Sequence, residues 1–136
     1  MPGPWTYRLE ITDRVSEFTK RFRPAAPSFY ATIQHQGSVT TLPALIDTGA
    51  DITVIPESVA VDLKLIKFAE RTMGTAKRGQ SGLCPVYKAK LTFLDFTFDN
   101  HPLVALDRDR YMLIGRDILN QYRATFDGPA LQFNLE

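Results

Sequence analysis

Short segments that alternate apolar and polar residues run along most of this chain, and they limit its fold more than any other feature. Such alternation is typical of strands, because successive side chains of a strand point to opposite faces. The clearest alternating segments are residues 5–11, 87–93, 94–98 and 131–135. Only 56–64 and 116–122 place apolar residues at helical spacing. The sequence therefore predicts an all-β barrel or sandwich of short strands with one or two short helices.

Size and charge narrow the class of protein. The chain has 136 residues, of which 44% are hydrophobic, which suits one domain with a substantial core. Its net charge is +1, so we expect neither a nucleic-acid partner nor binding to a membrane surface. The sequence also lacks a signal-like start and an apolar run long enough to span a bilayer, which predicts a cytoplasmic protein.

The single cysteine and the two histidines limit the possible chemistry. One cysteine, Cys84, cannot form an internal disulfide, and we predict that it is a small packed residue. Cys84, His35 and His101 are widely spaced, so the sequence predicts no metal site. Phosphate-loop, dinucleotide and serine-hydrolase motifs are also missing, and we expect no cofactor.

Residues 44–51 form an apolar strand that ends in a tight turn carrying Asp47. A carboxylate at the end of an apolar strand is costly without a partner, and such carboxylates are often used for proton chemistry. Two of them about 3 Å apart share one proton, so that one acts as a base while the other acts as an acid. The pair can activate a water for attack on a carbonyl. Because this turn occurs once, the second carboxylate must come from another copy across a twofold axis.

The neighbours of Asp47 fit this use. The hydroxyl of Thr48 can fix the turn, and Gly49 allows a close backbone approach with its N–H donating to the carboxylate. Ala50 is small enough to leave room for a substrate. An ordinary β-turn is the alternative interpretation. The length of the motif and a second apolar string with a glycine turn at 112–119 favour the functional one.

The two strings resemble those of the retropepsin family, the dimeric aspartic proteases of retroviruses and their cellular and bacterial relatives. The resemblance covers roughly Phe29 to Leu135. It implies a closed acid-protease barrel, one half of a pepsin-like bilobed enzyme, that homodimerisation completes. Residues 29–136 would then form the protease domain. Residues 1–28 would be an N-terminal extension that contacts the dimer, covers the cleft or is removed by self-cleavage.

The resemblance also implies a role for each matching residue. Asp47 matches the catalytic acid, Thr48 the threonine that grips across the dimer axis, and Gly49 the end of that triplet. Positions that match substrate-contacting residues are Ala50, Asp51, Met73, Gly74, Thr75 and Leu113. Positions that match supporting residues are Ile114, Gly115 and Arg116. In the family, the arginine at the Arg116 position tends to pair with the acid at the Asp51 position, a bond that would stiffen the turn.

Two further segments match family elements. The glycine-rich segment 73–84 lies where the family has its flap, a hairpin that closes over substrate; an ordinary exposed loop is the alternative. The final strand, 131–135, lies where the family dimer interleaves its chain ends, so we expect it to pair across the axis.

These inferences together predict a homodimeric aspartic endopeptidase that cuts extended peptides, with an acidic-leaning, bell-shaped pH profile. The alternative within the same fold is a dimerisation or peptide-binding module with little or no turnover. An unrelated β-barrel binding domain would require both motifs to be accidental.

Overall fold

A computed structural model describes residues 3–8, 24–74, 81–107 and 111–136. Within these ranges the chain forms ten strands and two short helices. The strands are β1 (Trp5–Thr6), β2 (Ser28–His35), β3 (Ser38–Ile46), β4 (Val54–Pro56), β5 (Lys67–Gly74), β6 (Ser81–Phe93), β7 (Phe96–Leu106), β8 (Met112–Ile114), β9 (Ala124–Asp127) and β10 (Gln132–Leu135). The helices are α1 (Glu57–Asp62) and α2 (Arg116–Leu119). Neither helix has the length or the apolar character needed to cross a bilayer.

Six strands close into a barrel, which confirms the predicted fold class. The strands pair in the order β2-β3-β8-β4-β7-β6, and β6 returns to β2. Two of the pairings, β3 with β8 and β4 with β7, are parallel. Strand β5 pairs only with β6 in this order, so the β5–β6 hairpin projects from the barrel.

Alternating side chains of the barrel strands fill its interior. Along β2, Phe29, Ala31 and Ile33 are buried while Tyr30 and Gln34 are exposed. The rings of Phe29 and Phe93 stack with their centroids 4.6 Å apart. Each fully buried side chain of this size contributes about 1.5–3 kcal/mol relative to exposure, so the alternation fixes the register of each strand.

Strand β7 differs from the prediction. The sequence predicts a turn at 100–102 between two strands, but β7 runs without a break from Phe96 to Leu106. Asn100 adopts a φ of 51°, and the register with β6 shifts between Ala89 and Leu91. Asparagine tolerates the left-handed conformation, so the predicted turn is instead an irregularity within one long strand.

The chain ends form a separate three-stranded sheet in the order β1-β10-β9. Trp5 pairs with Phe133 in register, and the two rings lie 5.6 Å apart. Residues of β10 from Gln132 to Leu135 also pair with β9. Within the single chain, β9 pairs along the whole of β10, while β1 covers only Gln132 and Phe133 on the other edge, so pairing of the final strand across a dimer axis stays a prediction.

Candidate active site

The acid turn follows directly from the end of β3 at Ile46. The backbone N–H of Asp47 donates to the carbonyl of Ile114 at 3.0 Å, and the N–H of Ala50 donates to the carbonyl of Asp47 at 3.2 Å. The N–H of Gly49 donates to Oδ1 of Asp47 at 2.9 Å, which is the bond the sequence predicted. A Cβ at Gly49 would lie 3.1 Å from that same oxygen, so a side chain there would crowd the carboxylate.

The carboxylate of Asp47 is held in place but remains accessible. Asp47 is half-buried, while Thr48 and Gly49 beside it are exposed. A charge-assisted bond from a backbone N–H fixes the direction of a carboxylate more firmly than a bond between neutral groups. The turn thus presents one oriented carboxylate on an exposed face, with the hydroxyl-bearing Thr48 next to it.

The three predicted supporting residues lie directly beneath this turn. Ile114 accepts the hydrogen bond from Asp47, as described above. The backbone N–H of Arg116 donates to the carbonyl of Ala50 at 2.8 Å, and its Nη1 donates to the carbonyl of Thr48 at 2.7 Å. At Gly115 a Cβ would lie 2.6 Å from the carbonyl carbon of Ile52, so only glycine allows the two segments to pack this closely.

Asp51 has a different partner from the predicted one. Its carboxylate pairs with the guanidinium of Arg71 on β5, whereas the guanidinium of Arg116 binds the carbonyl of Thr48. The prediction of an Arg116–Asp51 pair is therefore wrong for the single chain. The physical reason is strand register: Arg71 lies on the same face of β5 as Ala69 and Met73, and that face packs over the segment next to Asp51.

A buried polar network below the turn was missed by the sequence analysis. The hydroxyl of fully buried Thr53 donates to Oδ1 of Asp117 at 2.8 Å and accepts from the N–H of Gly115 at 3.2 Å. Nε2 of His101 lies 2.9 Å from Oδ2 of Asp117. The one available signal was a polar Thr53 directly before the apolar residues of β4, together with an acid after the glycine of the second string.

The charge of Asp117 is stabilised by this network. Burial alone raises the pKa of the Asp117 carboxyl, but the hydrogen bonds from His101 and Thr53 outweigh it, so the pKa is lowered. The carboxylate is therefore ionised at neutral pH. An ionised carboxylate is acceptor-only, so both of its partners must donate.

The β5–β6 hairpin forms one wall beside the acid turn. Its half-buried Met73 packs against a small apolar cluster of Ile52, Val86 and Val104. Gly74 ends β5 opposite Ser81 in β6, and Leu113 is half-buried in β8. Thr75, a further predicted substrate-binding position, lies outside the described residues, as do the other residues between the two strands.

Cys84 also packs against this cluster, as the sequence predicted. Burial raises the pKa of its thiol, and the nearby Glu57 adds to the rise, so the thiol is neutral at ordinary pH. In the parts of the chain that the structure describes, no three His, Cys, Asp or Glu side chains come together as a metal site would require.

Comparison with known proteins gives one sequence family and several structural relatives. A family model described as aspartyl protease matches residues 31–118, more than half of the chain. A search of the curated proteins finds no match.

Two of the similar solved structures show the same fold. A foamy viral protease-reverse transcriptase in complex with an RNA/DNA hybrid has 25% sequence identity and a TM-score of 0.52, over 71% of this chain and 12% of that one. A retropepsin-like aspartic protease from Rickettsia conorii has 16% identity and a TM-score of 0.54, over 79% of each chain. The present chain thus spans only a small part of the viral protein but most of the bacterial one.

Proposed function

This chain belongs to the aspartyl protease family, and we propose that it hydrolyses peptide bonds as a homodimer, through a water activated between two Asp47 carboxylates. The observation that carries the proposal is the acid turn. Asp47 is oriented by the N–H of Gly49, supported from below by Ile114 and Arg116, and left accessible on one side. An ordinary Asx-turn also makes the Gly49 bond, so the proposal depends on that bond together with the support from below and the open side.

The requirement for two copies follows from the chemistry. One carboxylate can accept a proton from water, but it cannot at the same time protonate the carbonyl oxygen that the water attacks. Two Asp47 side chains across a twofold axis would share one proton and divide these tasks. Thr48 and Gly49 are exposed next to Asp47, so the turn has the open surface that such a contact needs.

The surroundings of the turn favour an extended peptide as substrate. An extended peptide can add main-chain hydrogen bonds to a hairpin while its alternate side chains enter apolar pockets. Here β5 is the edge strand of its sheet, which leaves main-chain groups for an added strand, and Met73 and the half-buried Leu113 supply apolar surface. The net charge of +1 gives no electrostatic reason to propose nucleic acid as the ligand.

The decisive test is the isosteric variant Asp47→Asn, which removes the charge but keeps the shape. The full chain and the variant are incubated with a denatured protein mixture, with and without a statine-type inhibitor, and the products are identified by mass spectrometry. We expect the wild type to produce inhibitor-sensitive cleavages and Asp47→Asn to produce none. The matched control is Asp62→Asn at an exposed aspartate that ends α1, which should cleave like the wild type.

Two results would contradict the proposal in different ways. Cleavage by Asp47→Asn at the wild-type rate would remove Asp47 from the chemistry. Binding of the inhibitor by a dimer that cleaves nothing would instead favour the peptide-binding module. Specific activity should also fall on dilution, because a monomer would hold only half of the site.

A further inference from the structure

His101 is connected to the acid turn although it lies on a different strand of the barrel. It belongs to β7, and only 13% of its side chain is exposed. Its Nε2 contacts Oδ2 of Asp117, whose other oxygen accepts from Thr53, and Thr53 in turn accepts from the N–H of Gly115. The ring also packs edge-on against Phe98, with the centroids 5.6 Å apart. The imidazole is therefore fixed by packing as well as by its bond to the carboxylate.

The first turn of α2 links this network to the acid turn. The guanidinium of Arg116 donates to the carbonyl of Thr48, and its backbone N–H donates to the carbonyl of Ala50. The carboxylate of the next residue, Asp117, accepts from Thr53 and contacts His101. Gly115 leaves no free space against Ile52, so this segment cannot shift without disturbing its neighbours. A change at Asp117 should therefore alter the hydrogen bonds from Arg116 to the carbonyls of Thr48 and Ala50, which shape the turn around Asp47.

We propose that His101 is a positioning residue for the Asp47 site, which acts by holding Asp117 so that the Gly115–Arg116 segment keeps the acid turn in its reactive geometry. The positioning itself is a property of the fold. Its kinetic consequence rests on the proposed function. His101 and Asp117 lie 16 residues apart along the chain, so no local pattern predicts that they meet.

The chemistry of the pair specifies what His101 must supply. Asp117 accepts at Oδ1 from Thr53, and its ionised Oδ2 requires a donor as well. Nε2 of His101 can donate in the neutral imidazole, with the proton on Nε2, and also in the imidazolium. A side chain with an N–H donor at the same reach should therefore replace histidine, whereas an apolar side chain of similar size should not.

The test compares His101→Leu with His101→Gln, whose amide nitrogen can donate at about the position of Nε2. Hydrogen exchange of the Gly115 amide, followed by NMR on the full chain, reports the network directly. We expect exchange to accelerate about tenfold or more in His101→Leu, the effect of losing one charge-assisted hydrogen bond. His101→Gln should stay close to the wild type. The matched control is His35→Leu at the other histidine of the chain, which should leave Gly115 unchanged.

Steady-state kinetics separate positioning from general destabilisation. We expect His101→Leu to lower kcat on the order of tenfold without a matching rise in KM, because the reacting geometry changes while the substrate contacts stay. His101→Gln should restore kcat. Loss of kcat in both variants alike, with slow exchange at Gly115, would overturn the proposal.

A second variant keeps the proposal testable if His101→Leu does not fold. Asp117→Asn preserves the shape, but its single amide oxygen can accept from only one of the two partners. If the amide N–H faces His101, Nε2 must accept and the imidazole proton moves to Nδ1; if it faces Thr53, that hydroxyl must accept it and the bond from the Gly115 N–H is disturbed. Either the nitrogen-15 spectrum of the imidazole or the exchange rate of Gly115 should therefore change in the variant, and no change in both would overturn the proposal.

The two proposals can fail separately. If no form of the protein cleaves peptides while the exchange and imidazole results are as expected, the positioning network stands and the proposed function fails. If cleavage depends on Asp47 but Gly115 exchanges equally in the wild type and His101→Leu, the function stands and the positioning role is wrong.

Discussion

The acid turn is held on two sides by contacts of different kinds. The supporting side consists of β8, the first turn of α2 and the Thr53–Asp117–His101 network, and its polar groups are largely buried. The hairpin side consists of β5 and β6, and its polar link to the turn is the Arg71–Asp51 pair, whose side chains are 42% and 48% exposed. Buried, mutually bonded groups fix one geometry, whereas exposed ion pairs are weak and screened by salt.

This difference suits the two tasks that the proposed chemistry sets. The reacting carboxylate must stay within a fraction of an ångström, while a cover over the substrate must open and close. The hairpin side has the properties of a region that opens at low cost, because it projects from the barrel and exposes Phe68 and Leu83. The supporting side shares its residues with the barrel core.

The largest effect should come from adding a methyl group at the tightest contact of the supporting side, where Gly115 packs against Ile52. In Gly115→Ala the new Cβ would lie 2.6 Å from the carbonyl carbon and 2.7 Å from the carbonyl oxygen of Ile52, both backbone atoms. Overpacking of this kind costs about 3 kcal/mol, so we expect that loss in the free energy of unfolding by urea. The matched change on the hairpin side, Gly82→Ala, meets nothing within 4 Å and should cost far less. Equal losses in both variants would remove the distinction between the two sides.

The second largest loss of stability should come from removing the charge of Asp117, and this loss depends on pH. Its pKa is lower in the folded chain than in the unfolded one, so its stabilising contribution is complete above the unfolded value of 3.8 and disappears as the pH falls through the folded value. We expect Asp117→Asn to lose about 2 kcal/mol of unfolding free energy at neutral pH, the strength of hydrogen bonds to a charged group. The difference in unfolding free energy between the variant and the wild type should narrow progressively below about pH 4. A difference that stays constant down to the lowest pH would show that the charge of Asp117 contributes nothing to stability.

The contacts between the two glycine-turn strings could be predicted from the sequence. The contacts among Asp47, Gly49, Ile114 and Arg116 arise from two short strings, each a strand that runs into a glycine turn, and local patterns are enough to recognise them. The barrel likewise follows from period-two alternation.

The missed contacts depend on the register of distant strands. Arg71 reaches Asp51 because of its position along the β5–β6 hairpin, and His101 reaches Asp117 because β7 continues through Asn100 instead of turning there. The pairing of Trp5 with Phe133 is another contact of this kind. One residue of slip in any of these strands would send the side chain to the other face, so no local pattern identifies such partners.

The smallest effect should come from breaking the polar link of the hairpin side. We expect Arg71→Ala to change the free energy of unfolding by no more than about 1 kcal/mol, since both partners are roughly half exposed. The same variant should nevertheless speed hydrogen exchange of the described β5 and β6 amides, because the link to Asp51 opposes only the local opening of the hairpin. The matched control is Lys90→Ala, an exposed cation of β6 on the barrel part of that strand, which should leave this exchange unchanged.

Salt provides the sharper form of this last test. Raising the ionic strength from about 0.1 M to 1 M shortens the screening length from roughly 10 Å to 3 Å. In the wild type this should speed hairpin exchange towards the rate of Arg71→Ala, while the variant itself should respond little. Exchange at Gly115, on the supporting side, should be insensitive to salt in both proteins, because its acceptor Thr53 is fully buried. A wild-type hairpin that opens equally fast at both salt concentrations would mean that the apolar packing of Met73, rather than the ion pair, holds it down.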